Sequence, residues 1–331
     1  MSAAVPTLNR ASLTRRLFQS VAMIREFEQV AGKAFARNEI PGFIHLSIGQ
    51  EGVAVGVCAA LDERDKITST HRGHGHVLAR GSDPNRVMAE IYGRETGLCK
   101  GRGGTMHLYD FARGVLGTNG IVAAGGPLAC GAALAERNAG SGGVVVCFMG
   151  DGATDQGSTH EAMNMAAVWA LPVIFVVENN GFSEGTPLAS HSSAEAIVDR
   201  AAAYSFPGVR VDGQDALAVF EAAKQAVTRA RAGAGPSLIE AVTSRFRGHF
   251  EGDAMRYTRS GPDAEAAARD PLDVLRSVLE NEFTADEIEQ DLAKAKEIVA
   301  TAQEFARNSP RPSADSVLEG VFTNPQHSES A

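Results

Sequence analysis

Apolar positions fall at helical spacing almost from the start: Leu13, Phe18, Val21, Ile24 and Phe27 share one face, which predicts an amphipathic helix over 12–37. The Ile40-Pro41-Gly42 turn ends it. Residues 38–127 are rich in Gly and His, with helical stretches near 51–61 and 84–96 between loops. From about 128 the texture changes. Short apolar runs at 144–149, 173–177, 209–211 and 238–242 are mostly β-branched and flanked by turn-forming or polar residues, as buried parallel strands are. Helical stretches near 128–138, 158–170, 194–204 and 215–232 lie between them. This alternation predicts an α/β fold: a doubly wound, mainly parallel sheet flanked by helices, with ligands at the carboxyl ends of the strands. The Ala, Glu and Lys content of 270–306 predicts surface helices, and 308–331 reads as a polar tail with one docked piece around 317–322. The expected division is a helical segment at 1–37, an α/β domain at 38–306 and a tail at 307–331.

Charge and composition narrow the function classes. A net charge of −9 argues against nucleic acid, which needs a basic face, although local basic clusters can still hold a small phosphorylated ligand. Cys58, Cys99, Cys130 and Cys147 form no CxxC pair and read as thiols of a reducing compartment. No apolar run reaches the roughly 18 residues that span a bilayer. Arg10, Arg15 and Arg16 stand near the start without an acid, but the helical period is already under way at Leu13. The cytoplasm is the expected compartment.

The strongest chemical signal begins where the first apolar run ends. Gly150-Asp151-Gly152 follows it directly, and a helix begins near Gly157. Glycine lets backbone amides approach a ligand, a helix start favours an anion, and Asp151 adds a hard carboxylate oxygen. The next run ends in Glu178-Asn179-Asn180-Gly181. Neighbouring parallel strands would bring a carboxylate and an amide oxygen to one sheet edge, as a magnesium-bound diphosphate requires. Each piece alone reads more readily as a turn. Their separation, with 26 residues between Gly152 and Asn179, argues for more. A zinc set of His71, His74 and His76 lacks the i, i+4 spacing and a nearby carboxylate or thiol. Gly101–Gly104 has no strand–loop–helix context for a dinucleotide.

Taken with that GDG–NN pattern, further stretches resemble the alpha subunits of the pyruvate, branched-chain 2-oxo acid and acetoin dehydrogenase complexes over roughly 12–325. They are Gly42-Phe43-Ile44-His45, Gly49-Gln50-Glu51, Thr70-His71-Arg72-Gly73-His74-Gly75, Gly101-Arg102-Gly103-Gly104-Thr105-Met106-His107, Gly117-Thr118-Asn119-Gly120-Ile121-Val122 and Arg245-Phe246-Arg247-Gly248-His249. The resemblance implies a thiamine-diphosphate-binding fold holding thiamine diphosphate and Mg2+. By the family's pattern, Asp151, the Asn180 side chain and the Phe182 carbonyl bind magnesium. Amides of Gly152 and Ala153 would face the diphosphate, Arg72 and Arg245 would neutralise it, and Gly120 and Val122 would contact the aminopyrimidine through their backbones. His249 would sit beside the diphosphate and the reacting carbon, while His45 and His71 would face a small-molecule carbonyl substrate. The glutamate that activates the cofactor belongs to a beta subunit, which implies an alpha2beta2 heterotetramer and activity only in its presence.

Residues 67–76, 97–101 and 248–253 look like acetoin dehydrogenase alpha subunits. The implied reaction cleaves acetoin to acetaldehyde and a cofactor-bound hydroxyethyl group, which is oxidised and passed to a lipoyl acyltransferase. The alternative is oxidative decarboxylation of pyruvate or a branched-chain 2-oxo acid. Phe250 stands where the mitochondrial pyruvate enzymes carry a regulatory serine, and His71 replaces an aromatic residue usual in the pyruvate branch. Thr118 and Asp155 also depart from the pattern. Asp155 would bring negative charge near a diphosphate, tolerable if it caps the helix that follows.

Overall fold

Runs of valine and isoleucine at the centre of the chain have no polar face to show to water, so both faces of the sheet they form must be covered. A computed structural model of the chain describes residues 9–255, 257 and 269–319. Its first helices are α1 (Arg10–Ala36) and α2 (Glu51–Ala59), followed by the short strand β1 (Lys66–Thr68) and helices α3 (His74–Ala79) and α4 (Pro84–Ile91). Next come α5 (Gly125–Ala139), β2 (Val145–Gly150), a 3₁₀ turn at Asp151–Asp155, α6 (Gly157–Val168) and β3 (Val173–Asn179). A small hairpin, β4 (Phe182–Ser183) with β5 (Thr186–Pro187), leads into α7 (Leu188–His191) and a 3₁₀ helix at Ile197–Tyr204. Then follow β6 (Gly208–Asp212), α8 (Ala216–Arg231), β7 (Ser237–Val242), α9 (Pro271–Leu279) and α10 (Ala285–Asn308).

The main sheet is parallel throughout, in the order β1-β2-β3-β7-β6. Side chains of a strand alternate between faces, and the core divides accordingly. Val146, Phe148, Ile174 and Val176 pack into one cluster, while Val145, Cys147, Met149, Val173, Phe175 and Val177 pack into the other. The first cluster takes in Leu17, Phe18, Val21, Ile24 and Phe27 of α1, so the amphipathic helix is built into the same core as the sheet. Phe18 and Phe27 are fully buried; side chains of this size contribute roughly 1.5–3 kcal/mol each. The second cluster is closed by α5, α6 and the 3₁₀ helix at Ile197–Tyr204.

Several boundaries differ from the sequence reading, each for a local reason. Helix α4 stops at Ile91, and Gly93 just beyond takes the left-handed conformation at φ 65°. The stretch expected as a helix near 194–204 winds as a 3₁₀ helix. Strand β1, at the sheet edge, has three residues, too few to show a period. Of the docked piece expected at 317–322, only the first part lies within the described residues. There Val317 is exposed, and the attachment is polar: the Arg102 guanidinium donates to the carbonyls of Ser316 and Glu319. Among the described residues, no helix is long and apolar enough to cross a membrane.

Candidate active site

Strand register places the chemistry. Gly150 at the end of β2 pairs with Glu178 near the end of β3, so Asp151 and Asn180 follow the two strand tips at the same edge of the sheet. Beyond Asp151 the chain turns tightly, and Gly152 lies against the β4–β5 hairpin. A Cβ there would come within 2.2 Å of Ser183 Oγ and 2.6 Å of its Cβ, so only glycine admits this contact. The carboxylate of Asp151 is 2% exposed. One oxygen accepts the Gly152 N–H at 2.9 Å, while the other is buried with no partner among the described residues. Burial pushes this carboxyl above its ordinary range against the opposing pull of the Gly152 amide and of His191 and Arg245. A stranded carboxylate oxygen of this kind asks for a cation. Beside it the Asn180 amide donates to Gln50 Oε1 at 2.9 Å, and its oxygen accepts the Phe182 N–H at 3.1 Å, leaving a lone pair for a second interaction.

The cationic side of the site shows the opposite deficit. Arg72 is 4% exposed, and its guanidinium donates to the Leu46 carbonyl at 2.6 Å and the His249 carbonyl at 2.8 Å. Arg245 donates to the carbonyls of Arg247 and Glu184 and to the Tyr257 hydroxyl. Among the described residues neither guanidinium meets a carboxylate. Burial, with Arg245 nearby, pulls Arg72 down to about 9. Two forked donors without an acid form a receptor for a multiply charged anion such as a diphosphate.

Three histidines distant in sequence meet here. Ring centroids lie 4.7 Å apart for His45 and His71, 5.1 Å for His45 and His249, and 5.4 Å for His71 and His249. Burial, reinforced by Arg72, holds His45 at about 3 and His71 at about 2. His249 is lowered by the same causes, but Glu184 and Asp253 pull the other way. Its backbone N–H donates to Asp253 Oδ2 at 2.8 Å and contacts the Tyr257 hydroxyl at 3.0 Å, fixing the loop that carries it. All three imidazoles are therefore neutral near pH 7, able to accept or donate a hydrogen bond without bringing charge.

The sequence-adjacent histidines part company instead. His74 is held between Glu28 and the Thr105 carbonyl, each at 3.0 Å, and His76 between Ser69 Oγ at 2.8 Å and Glu178 at 3.3 Å. Only His71 of that trio faces the cavity. Thr118 is structural: its hydroxyl donates to the Met106 carbonyl and accepts the Leu108 N–H. Asp155 does not cap the helix after it, because Gln156 occupies that position. Its carboxylate pairs with Arg200 at 2.6 Å and His191 at 2.5 Å. Burial pushes Asp155 up, but those partners outweigh it and leave the group below its ordinary range, its charge neutralised.

One cavity of about 290 Å³ gathers every residue assigned from the sequence: His45, His71, Arg72, Gly120, Val122, Asp151, Gly152, Ala153, Asn180, Phe182, Arg245 and His249. It also takes in Gln50 and Glu178, to which the sequence reading gave no role. Gln50 stands beside Glu51 and Glu178 ahead of the paired asparagines, but nothing in their spacing marks them as facing inward. The network of Asp253 and Tyr257 behind His249 left no sequence signal.

Residues 19–315 match the family model described as the dehydrogenase E1 component. The chain belongs to that family. It is 48% identical, over 93% of each chain, to the alpha subunit of acetoin:2,6-dichlorophenolindophenol oxidoreductase of Bacillus subtilis. It is 44% identical to the subunit of the same name from Cupriavidus necator, over 98% of this chain and 97% of that one. The pyruvate dehydrogenase E1 component subunit alpha of Rhizobium meliloti is 39% identical, over 93% of this chain and 89% of that one. The E1 dehydrogenases depend on thiamine diphosphate, and this chain is such a dehydrogenase component. Its donor set fits that group: two guanidiniums without acids suit the diphosphate, and the stranded Asp151 oxygen suits a divalent cation beside it.

Proposed function

We propose that this chain is the alpha subunit of an acetoin dehydrogenase, holding thiamine diphosphate through magnesium and completed by a beta subunit. The carrying observation is the pairing, in one cavity, of two guanidiniums that meet no carboxylate among the described residues with a cluster of three imidazoles. Asp151 Oδ2, the Asn180 side-chain oxygen and the Phe182 carbonyl would hold magnesium. Arg72, Arg245 and the amides of Gly152 and Ala153 would hold the diphosphate, while backbone groups of Gly120 and Val122 would grip the ring. When bound, the cofactor supplies a carbon nucleophile and an electron sink.

The imidazoles suit a neutral hydroxyketone. Cleaving a carbon–carbon bond next to a carbinol requires removal of the hydroxyl proton, whereas a 2-oxo acid loses carbon dioxide without such a step. His249 is the fitting acceptor, since its neighbouring acids favour a proton there more than at His45 or His71. His45 and His71 would orient the substrate oxygens as neutral hydrogen-bonding groups. Relatives at 48% and 44% identity carry acetoin in their names, which favours the same substrate. Those names also say subunit alpha. Exposed Leu128 on α5, Met165 and Val168 on α6, and neighbouring Trp169 offer apolar surface for a beta subunit. The acetyl group produced would pass to the lipoyl arm of an acyltransferase, and the cytoplasm remains the proposed compartment.

Co-expression with a beta-type subunit, followed by dichlorophenolindophenol reduction, tests the substrate. Acetoin should exceed pyruvate and branched-chain 2-oxo acids in kcat/KM by about 100-fold. The reverse preference would assign the chain to 2-oxo acid oxidation.

A further inference from the structure

The same cavity holds a second donor set, built of nitrogen rather than oxygen. Ring nitrogens of His45, His71 and His249 lie within 4.8 Å of one another. Three imidazoles around tetrahedral zinc hold their nitrogens about 3.4 Å apart, as bonds of roughly 2.1 Å require. Coordination would require the nitrogens to draw together from this spacing, and the rings meet edge to face or tilted. Among the described residues the buried Nδ1 atoms of His45 and His249 have no hydrogen-bond partner, so a coordinated ion could take up their lone pairs.

We propose that His45, His71 and His249 form a second metal site, taking a zinc-class transition ion that competes with substrate. Its chemistry differs from that of the Asp151 site. Three nitrogens and no carboxylate select borderline metals, whereas oxygen donors select magnesium. Arg72 and Arg245 line the same cavity and oppose a dication, so affinity must come from imidazole–metal bonding rather than from charge. That excludes calcium and magnesium and favours zinc, cobalt, nickel or copper. With three protein ligands the ion keeps an open position, as catalytic zinc sites do. Competition with substrate rests on the placement of these histidines at the substrate end, proposed above; metal binding itself does not.

The test uses the untagged full chain, freed of metal with a chelator. Zn2+ is titrated by calorimetry, and Co2+ by its visible absorption. About one ion should bind per chain, with the intense bands of low-coordinate cobalt. His71→Phe and His45→Gln should each weaken binding by about 100-fold or more, since even outer-sphere changes at metal sites cost about 10–100-fold. Asp151→Ala should leave it unchanged. In the wild-type chain, imidazole 15N resonances of these three histidines, and of no others, should shift with zinc, a readout independent of how the variants fold. Zinc should raise the apparent KM for acetoin in the assembled enzyme, and zinc bound at the three histidines without that effect would overturn only the competition and with it their substrate-end placement. Absence of saturable binding, binding that survives both histidine variants, or loss of binding in Asp151→Ala would overturn the site itself.

Discussion

Asp151 and Arg72 each lose water on folding and, among the described residues, gain no partner of opposite charge, so both residues are costly until a ligand supplies one. A disagreement of this kind between fold and chemistry is where a functional site is expected. The histidines add a pH dependence whose sign is fixed by their shifts. Unfolded, each takes up a proton near 6.5; in the fold His45 does so at about 3 and His71 at about 2. The unfolded chain binds more protons across that interval, so stability falls as pH drops from about 6.5 toward 3. Urea midpoints should fall between about pH 7 and pH 5, and fall less in a chain carrying His45→Gln and His71→Gln. An equal fall in both chains would show that these imidazoles titrate freely in the fold. Such shifts have no sequence signal, because they arise from Arg72 and from burial among segments far apart in the chain.

Two elements matter most to the site: the strand tips of β2 and β3, and the loop that carries His249. The first was readable because parallel strands with apolar faces on both sides are written as unbroken valine-rich runs, and the residues after them must turn. Strand β1 was not readable, since its three residues are held by pairing with β2 on one side and a bridge from Ile67 to Val115 on the other. Nor was the role of Asp155, which depends on Arg200 arriving from the 3₁₀ helix at Ile197–Tyr204. Close packing of the turn after β2 on the β4–β5 hairpin makes Gly152→Ala informative. It should displace Ser183 and weaken thiamine diphosphate binding about tenfold, roughly 1.4 kcal/mol, measured by titration. Unchanged affinity would mean that the hairpin has no part in the cradle. The His249 loop is fastened further back. Arg25 of α1 bonds buried Glu51 of α2 and Asp270 ahead of α9, and its guanidinium lies 5.6 Å from the Phe246 ring. Arg25→Ala strands a fully buried carboxylate and should cost about 3–5 kcal/mol in denaturant unfolding. A loss below about 1 kcal/mol would place this network among surface ion pairs.

At the scale of the whole molecule, the sheet, its two cores and α1 act as one scaffold that brings dispersed residues to a single opening. The exposed apolar side chains of Ile121 and Val122, which flank that opening, fit a site finished by another subunit. Alone, the chain should bind cofactor yet leave acetoin unchanged, and should turn over only with a beta-type subunit; turnover by the purified chain itself would refute the division of the site. The more fundamental claim is that Asp151 and Asn180 grip a magnesium-bound diphosphate between Arg72 and Arg245. Calorimetric titration of thiamine diphosphate into the assembled protein, with and without Mg2+ and in parallel with Asp151→Ala, addresses it directly. The account predicts saturable binding that requires Mg2+ and disappears in the variant while the fold persists. Tight binding that ignores the metal, or that survives in Asp151→Ala, would contradict it.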